Sequence, residues 1–505
     1  MPRSRKVLLF LPPYAGPVFG APFGLLSLAG ALRKAGFEPR IVDGVLDADY
    51  RRTIADEIRD CCCFGVSLLT GPMILRAIEV SRMVKRIRPD LPVVFGGWHP
   101  TLETAQTLRE DFVDIVVRHQ GEATLVELLL RLESGTPLDL VTGCWFKRDG
   151  HIIQNPDRPA SSLSQLPPPA YDLIDFDAYQ RATGERKLPY ATSIGCPYAC
   201  TYCTDMVFYN RRFNAYDPGR VVKDMTELAA RYQLSEIALL DSNFLVDIRR
   251  ATAIARGIHD SGILFKWTFQ ASTNLLCLLT DAEVRLLGKS GVCHIGFGTE
   301  SASPEVLRHM NKPHQNISDM YEAAAKCARA GIRVTFNLIF GFPGEKERHR
   351  QETLRVVGDI ARQYDNVSFS PNLFTPYPGI PIWPELEALG LREPDSLADW
   401  ARVDLGADNL PWLSGASLRK LETGIRYLLL HRRIKHAWRH SRSGIIRALL
   451  DLAGTPLHWR LKHSFFSCPW ELLLASVRGH AAVRRSLLTG QPLSKYLAHN
   501  PARSR

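Results

Sequence analysis

Twice along this 505-residue chain, short β-rich runs alternate with helical stretches, and that alternation restricts the fold to layered parallel α/β architecture. The first series holds predicted strands at Lys6–Leu11, Pro39–Asp43, Phe64–Ser67, Pro92–Phe95 and Val113–Val117. Helices are predicted between them over Leu25–Ala35, Ile74–Arg88 and Ala123–Glu133, ending at Gly36, before Pro89 and before Gly135, where helix-stopping residues belong. Five such βα units make a flavodoxin-like, doubly wound parallel sheet, an architecture that takes ligands at the carboxyl ends of its strands. That edge carries Pro12-Pro13-Tyr14, Ser67-Leu68-Leu69-Thr70, Gly96-Gly97-Trp98-His99 and Gln120-Gly121-Glu122.

A polar stretch around Lys147–Ile153 and the turn-rich segment Ser161–Ala170 read as linker. The second series then follows, with strands predicted at Tyr190–Ile194, Ile237–Asp241, Lys266–Ala271, His294–Gly298, Val334–Ile339 and Val367–Asn372, a partial (β/α)6 barrel. From about Ser417 the pattern becomes apolar and basic at helical spacing. The expected domains are 1–140, a ligand-binding Rossmann-like sheet; 141–186, linker; 187–405, the barrel; and 406–505, a basic helical region.

The net charge of +11 belongs to that last part. Residues 415–505 hold 17 Lys and Arg against Glu422, Asp451 and Glu471, a net +14 that leaves the body at −3. Clustered cations with Trp438, Trp459, Phe465, Phe466 and Trp470 suit acidic lipid, a phosphorylated substrate, RNA, or simply a solvated helical cap. No apolar run approaches the roughly 20 residues of a membrane span, and the basic start Met1–Lys6 leads into too short an apolar stretch for a signal peptide. The expected location is cytoplasmic, peripheral at a membrane if the basic region binds one.

Eleven cysteines in a cytosolic chain point to metal or thiol chemistry before disulfides. Three of them form Gly195-Cys196-Pro-Tyr-Ala-Cys200-Thr-Tyr-Cys203, a Cys-x3-Cys-x2-Cys loop directly after the first barrel strand. Thiolates so spaced can each hold one iron of a [4Fe-4S] cubane and leave the fourth iron open. A structural zinc site would normally need a fourth ligand, and the nearest, Cys144 and His151, lie in the preceding segment. The loop resembles the motif of the radical S-adenosylmethionine (SAM) superfamily, which implies that SAM chelates the open iron and that Tyr202 is the aromatic residue preceding the last cysteine. Leu240-Asp241-Ser242-Asn243-Phe244, Gly296-Phe297-Gly298-Thr299-Glu300-Ser301 and Gly341-Phe342-Pro343-Gly344-Glu345 look like the family's SAM-binding segments. The resemblance implies SAM contacts for Tyr202, Asp241, Asn243, Glu300, Gly341 and Pro343.

With that core in place, the first sheet resembles the cobalamin-binding domain found ahead of many radical SAM methyltransferases and cyclases. The resemblance rests on Pro22-Phe23-Gly24-Leu25, Gly96-Gly97-Trp98-His99-Pro100-Thr101 and Asp114–Glu122, and it implies cobalamin contacts for Ser67, Gly96, Gly97, His99, Gly121 and Glu122. It departs from the family at His119-Gln120, where Gly-Glu is more familiar. No histidine completes Asp-x-His-x-x-Gly: Asp149-Gly150-His151 begins it, but Gln154 stands where glycine is needed. A cobalamin here would be held without histidine on its lower face, and His99 is either a pocket contact or a packing residue. Gly288-Lys289-Ser290 reads as an ordinary helix end, and Cys61-Cys62-Cys63 as small residues entering a strand.

The resemblance implies a [4Fe-4S] cluster, SAM and cobalamin as cofactors, and methylation of an unactivated carbon in a small or lipid-like biosynthetic substrate. A flavodoxin or ferredoxin would supply the electron. The rivals are radical cyclisation of the porphyrin cyclase type, a non-enzymatic cobalamin or iron-sulfur sensor, and transfer-RNA methylthiotransfer. The last requires a second cluster's cysteines in the first domain, which Cys61 to Cys63 and Cys144 do not supply. Nucleic acid is accordingly not an expected partner, and the residues name no acid or base.

Overall fold

The computed structural model describes residues 4–14, 20–403 and 410–463. Strands β1 Lys6–Leu11, β2 Glu38–Asp43, β3 Cys63–Ser67, β4 Val93–Gly96, β5 Ile115–Val117, β6 Cys144–Arg148 and β7 His151–Gln154 form one sheet in the order 2-1-3-4-5-6-7. The first five are parallel in the flavodoxin order, as expected. The stretch assigned to the linker is different: β6 and β7 form a hairpin that pairs antiparallel with β5, extending the sheet to Gln154. Its alternation is too weak to read locally, because the hairpin occupies an edge whose second strand is half-exposed.

Alternate residues of β1 feed opposite cores. Val7 and Leu9 meet the helices Phe23–Lys34 and Glu122–Ser134, while Leu8 and Phe10 meet Tyr50–Glu57 and Met73–Ile87. The second core continues into Phe374, Trp383 and Trp400 from the segment beyond the barrel, which packs this sheet against the rest of the chain. Each fully buried large side chain there contributes about 1.5–3 kcal/mol.

The second sheet contains β8 Lys187–Tyr190, β11 Glu236–Leu239, β12 Lys266–Ala271, β13 Val292–Glu300, β14 Arg333–Phe340 and β15 Val367–Leu373, all parallel and adjacent in chain order. This is the expected six-stranded partial barrel. A short antiparallel pair, β9 Ser193–Ile194 with β10 Asn214–Ala215, brackets the cysteine loop. On β14, Val334, Phe336, Leu338 and Phe340 are buried, and the residues between them are half-buried or exposed. The linker is packed tightly: Leu163, Leu166, Tyr171 and Phe176 join the barrel core, and the Pro168 carbonyl lies where a Cβ on Gly30 would stand.

The helices Gly415–His440 and Gly444–His463 pack against each other, the helix Glu347–Gln363 and strand β15, through Leu421, Tyr427, Leu428, Leu457 and Leu461. They cover the sheet's edge strand. Phe465, Phe466, Trp470 and the remainder of the expected basic region lie outside the described residues. No helix among the described residues is long and apolar enough to cross a membrane.

Candidate active site

The cysteine loop begins with a turn only glycine can make. Gly195 has φ +76°, and a Cβ there would fall 2.0 Å from the Arg212 carbonyl oxygen. Beyond it Cys200 is buried and Cys196 and Cys203 are half-buried. Burial raises all three thiols, Cys203 to about 12 with the Asp205 carboxylate adding to the effect, so a metal taken up here must displace tightly held protons. Among the described residues no three His, Cys, Asp or Glu side chains converge as they would on a single metal ion. A cubane offers a separate iron corner to each thiolate. Three thiols spread along one loop therefore suit a [4Fe-4S] cluster better than tetrahedral zinc.

Around this loop the barrel's carboxyl edge is densely polar. Asp241, wholly buried, accepts from the Thr192 amide at 2.7 Å and from the Thr192 and Ser193 hydroxyls at 2.5 Å each. Its carboxylate therefore braces the strand that delivers the cysteine loop. Arg250 holds the same strand through the Thr192 carbonyl at 2.7 Å. Glu300 stands at a break in the β13–β14 register with φ +58°, which turns its side chain to accept from Tyr202 and Lys312, each at 3.0 Å. Both partners of this ion pair are more than 90% buried. Lys312 escapes a sequence reading because Asn311-Lys312-Pro313-His314 looks like a solvated turn.

Asn243 donates to the Ser272 hydroxyl at 2.9 Å and leaves its buried Oδ1 without a partner among the described residues. Asn274 does the same, donating to Tyr198 Oη at 3.2 Å. Buried acceptors left open beside a cysteine loop are what a hydrogen-bonding ligand would use. Gly341, at φ +77°, donates its amide to Glu345 at 2.6 Å and accepts from the Trp412 indole at 2.9 Å, while Pro343 is buried in the same turn. Burial raises Glu345 to about 7. In this turn the Gly341 amide and carbonyl are therefore both engaged.

One cavity of about 560 Å³ joins the carboxyl edges of the two sheets. Ser67, Gly96, Gly97, Gly121 and Glu122 line it from the first sheet, and Asp205, Phe208, Tyr209 and Asp241 from the barrel. It reaches down between β1, β3, β4 and β5 and the helices Phe23–Lys34 and Glu122–Ser134, past Leu9, Gly65, Val94 and Leu125. Gly97 has φ +96°, and a Cβ there would lie 2.9 Å from the Leu68 carbonyl oxygen. At Gly121 a Cβ would crowd Leu28 and Val117, at 3.2 and 3.3 Å. Glu122 accepts from the Ser27 hydroxyl at 2.6 Å, and burial raises its carboxyl. A deep apolar slot with a glycine floor fits the appended arm of a large corrinoid better than it fits a phosphate, for which it offers no cation among its described lining.

His99 is not among the lining residues. It follows Trp98 on a one-turn helix, so its ring points about 100° away and lies buried edge-on to Trp400 at 5.8 Å, with Nδ1 bonded to Thr70 at 3.0 Å. Burial lowers it to about 3, a neutral packing histidine and not the expected cofactor contact. Trp98 itself faces the cavity and stacks on Phe208 at 4.2 Å. His119, where the first sheet departs from the familiar glycine, stands at φ +57°; Nδ1 meets the Phe208 carbonyl at 2.8 Å and Nε2 meets Asp157 at 3.3 Å. It is the one histidine among the described lining residues, and both ring nitrogens are engaged. Phe208 and Tyr209 were legible only as aromatics soon after Cys203.

Residues 190–357 match the radical SAM superfamily model and residues 17–129 the B12 binding domain model. The chain is 31% identical over 395 residues to an uncharacterized methyltransferase of Pyrococcus horikoshii, covering 75% of this chain and 83% of that protein. It is 26% identical over 379 residues to the anaerobic magnesium-protoporphyrin IX monomethyl ester cyclase of Cereibacter sphaeroides, covering 72% of this chain and 60% of the cyclase. Among solved structures, the radical SAM methyltransferase TsrM from Kitasatospora setae, with tryptophan substrate and a SAM analog bound, superposes with a TM-score of 0.70 at 19% identity over 94% of this chain and all of that one. That likeness is one of fold.

Proposed function

Because the chain belongs to the radical SAM superfamily and carries a B12-binding domain ahead of the radical SAM one, we propose that it is a cobalamin-dependent radical SAM methyltransferase acting on an unactivated carbon of a small molecule. The observation that carries this reading is the cavity between the glycine-floored edge of the first sheet and the barrel edge at Ser193, Ile194 and Asp205, the residues that flank the cysteine loop on either side. Cys196, Cys200 and Cys203 would hold a [4Fe-4S] cluster; the slot through Ser67, Gly96, Gly97, Gly121 and Glu122 would hold cobalamin. When bound, the cluster supplies a single electron for breaking a carbon–sulfur bond of SAM, and cobalamin serves as methyl carrier.

The chain's own residues do the rest. Asp241, through Thr192 and Ser193, fixes the strand entering the loop, while Tyr202 and Glu300 set the loop's inner wall. The open acceptors of Asn243 and Asn274 suit the polar groups of SAM. Trp98, Phe208 and Tyr209 form an aromatic wall between the two edges and keep water from the space where the substrate would lie. The functional units follow as a cobalamin-binding sheet with its hairpin to Gln154, a packed linker to about 186, a radical SAM barrel to about 405 and a basic helical region. An electron donor of the flavodoxin or ferredoxin class fits the one-electron requirement.

For the basic region we favour an acidic membrane surface, met by Ile445, Ile446, Leu449 and Leu452, all exposed on the helix Gly444–His463. The matching experiment for the main reaction is anaerobic reconstitution with SAM, cobalamin and dithionite. Methyl transfer predicts S-adenosylhomocysteine. The cyclase relatives favour a second reading, cyclisation, which predicts 5'-deoxyadenosine with no S-adenosylhomocysteine, so that result would replace the methyltransferase assignment.

A further inference from the structure

One short segment, His309–Gln315, grips the cysteine loop at four successive points. The Met310 carbonyl accepts from the Thr201 amide at 3.0 Å, and Asn311 Nδ2 donates to the Ala199 carbonyl at 2.7 Å. Lys312 Nζ lies 3.3 Å from Tyr202 Oη, and the His314 ring stacks on Tyr198 with centroids 3.7 Å apart and planes 11° from parallel. Asn311 reaches across at φ +52°, a backbone that asparagine tolerates better than most residues. The loop is thus fixed at positions 198, 199, 201 and 202, between and beside the cysteines, by bonds that involve no thiol.

The deepest of these points is charged. Lys312 and Glu300 pair at 3.0 Å with side chains 7% and 9% exposed, in space kept open because residue 298 is glycine: a Cβ there would stand 2.7 Å from Glu300 Oε1 and 3.2 Å from Lys312 Nζ. A buried ion pair contributes little net stability compared with apolar side chains of the same volume, so stability alone does not account for it. The pair meets the cysteine loop at Tyr202, the residue before Cys203, whose hydroxyl bonds both partners.

We propose that His309–Gln315 is a clasp that forms the cysteine loop before any cluster arrives, and that the buried Lys312–Glu300 pair is a positioning element that sets the charge a cluster in that loop experiences. The second half rests on the ligand assignment of Cys196, Cys200 and Cys203 proposed above. Reduction adds one electron, from dithionite in the test, and no bond or proton changes place. A nearby cation favours the added negative charge and a nearby carboxylate opposes it.

The test uses the full chain in two states. In the iron-free protein, hydrogen exchange should find the loop amides protected in wild type and Asn311→Ala should lose that protection at unchanged helix content; equal exchange in the two proteins would overturn the clasp. In the reconstituted protein without SAM, the cluster midpoint is titrated by EPR. Lys312→Met should lower the reduced-to-oxidised ratio about tenfold at the wild-type midpoint and Glu300→Gln should raise it about tenfold, opposite shifts of ~59 mV for a one-electron couple. Damage to the fold would move both in one direction, so shifts of the same sign, or none, would overturn the charge-setting role. If one variant fails to fold, the sign of the other decides. A wild-type chain that takes up no iron would instead overturn the ligand assignment, and the charge-setting role with it.

Discussion

Both sheets present the carboxyl ends of parallel strands to the same cavity, yet the two edges are built on opposite principles. On the first sheet the edge is hollow: Gly65, Gly96, Gly97 and Gly121 carry no side chains, and the walls are apolar apart from a few groups such as Ser27, Ser67 and Glu122. On the barrel the edge is crowded with polar groups bonded to one another: Asp241 to Thr192 and Ser193, Glu300 to Tyr202 and Lys312, Glu345 to Gly341. The first can hold a group by shape and burial. The second fixes a loop in place so that its cysteines are presented in one arrangement. A large stable carrier and a reactive cluster make those two different demands, and the joint between the edges, Trp98 on Phe208 and His119 on the Phe208 carbonyl, sets the two at a fixed relation.

The largest effect should come from removing a ligand at the crowded edge. Cys200→Ala is expected to lose the cluster and all SAM turnover while still retaining cobalamin, measured as iron, sulfide and corrinoid content after anaerobic reconstitution; full iron retention would remove Cys200 from the ligand set. At the hollow edge the corresponding change is Gly97→Val. It sets a Cβ against the Leu68 carbonyl in a backbone region nearly confined to glycine, which costs another residue roughly 1–3 kcal/mol, so corrinoid should be lost while iron uptake persists. If either variant lost both groups at once with the fold intact, the division between the edges would be wrong.

A smaller effect probes the contact between the first sheet's unit and the segment after the barrel. Glu103 and Glu393 share a hydrogen bond there, and burial together with the Glu393 charge raises Glu103 to about 8. Its folded value lies above its unfolded one, so the folded state holds the proton more tightly and stability falls as pH rises from about 4.3 to 8. Glu103→Gln keeps the hydrogen bond and removes the titration, and should flatten this part of the decline in Tm between pH 5.5 and 8. An unchanged slope would mean that the two carboxylates do not interact in solution. The smallest effect is expected for His119→Gly. Relief of the left-handed backbone, about 1 kcal/mol, offsets the loss of the bond to Phe208, also about 1 kcal/mol, so Tm should move by only a few degrees.

The strands, the helix ends and the cysteine loop were legible in the sequence because each is written in neighbouring residues: period-two alternation, a stop residue, a spacing of thiols. The cavity-lining glycines were legible for the same reason, since Gly96-Gly97 and Gly121 follow strands directly. What was not legible depends on residues distant in the chain. Lys312 becomes part of the site only because the turn after the helix Pro304–His309 lies against the loop, and Asp241 is engaged only because Thr192 and Ser193 reach it from the chain after β8. His99 illustrates the limit most plainly, since one step along a helical turn separates it from Trp98, which does face the cavity. The β6–β7 hairpin reads as linker until β5 is there to pair with it.

Whether the two edges hold two groups side by side is read by EPR of the wild-type chain loaded with both a reduced cluster and cob(II)alamin. The two signals should broaden each other, and adding SAM should perturb the cluster signal. Two independent, unbroadened spectra in fully loaded protein, with a cluster signal indifferent to SAM, would contradict that arrangement.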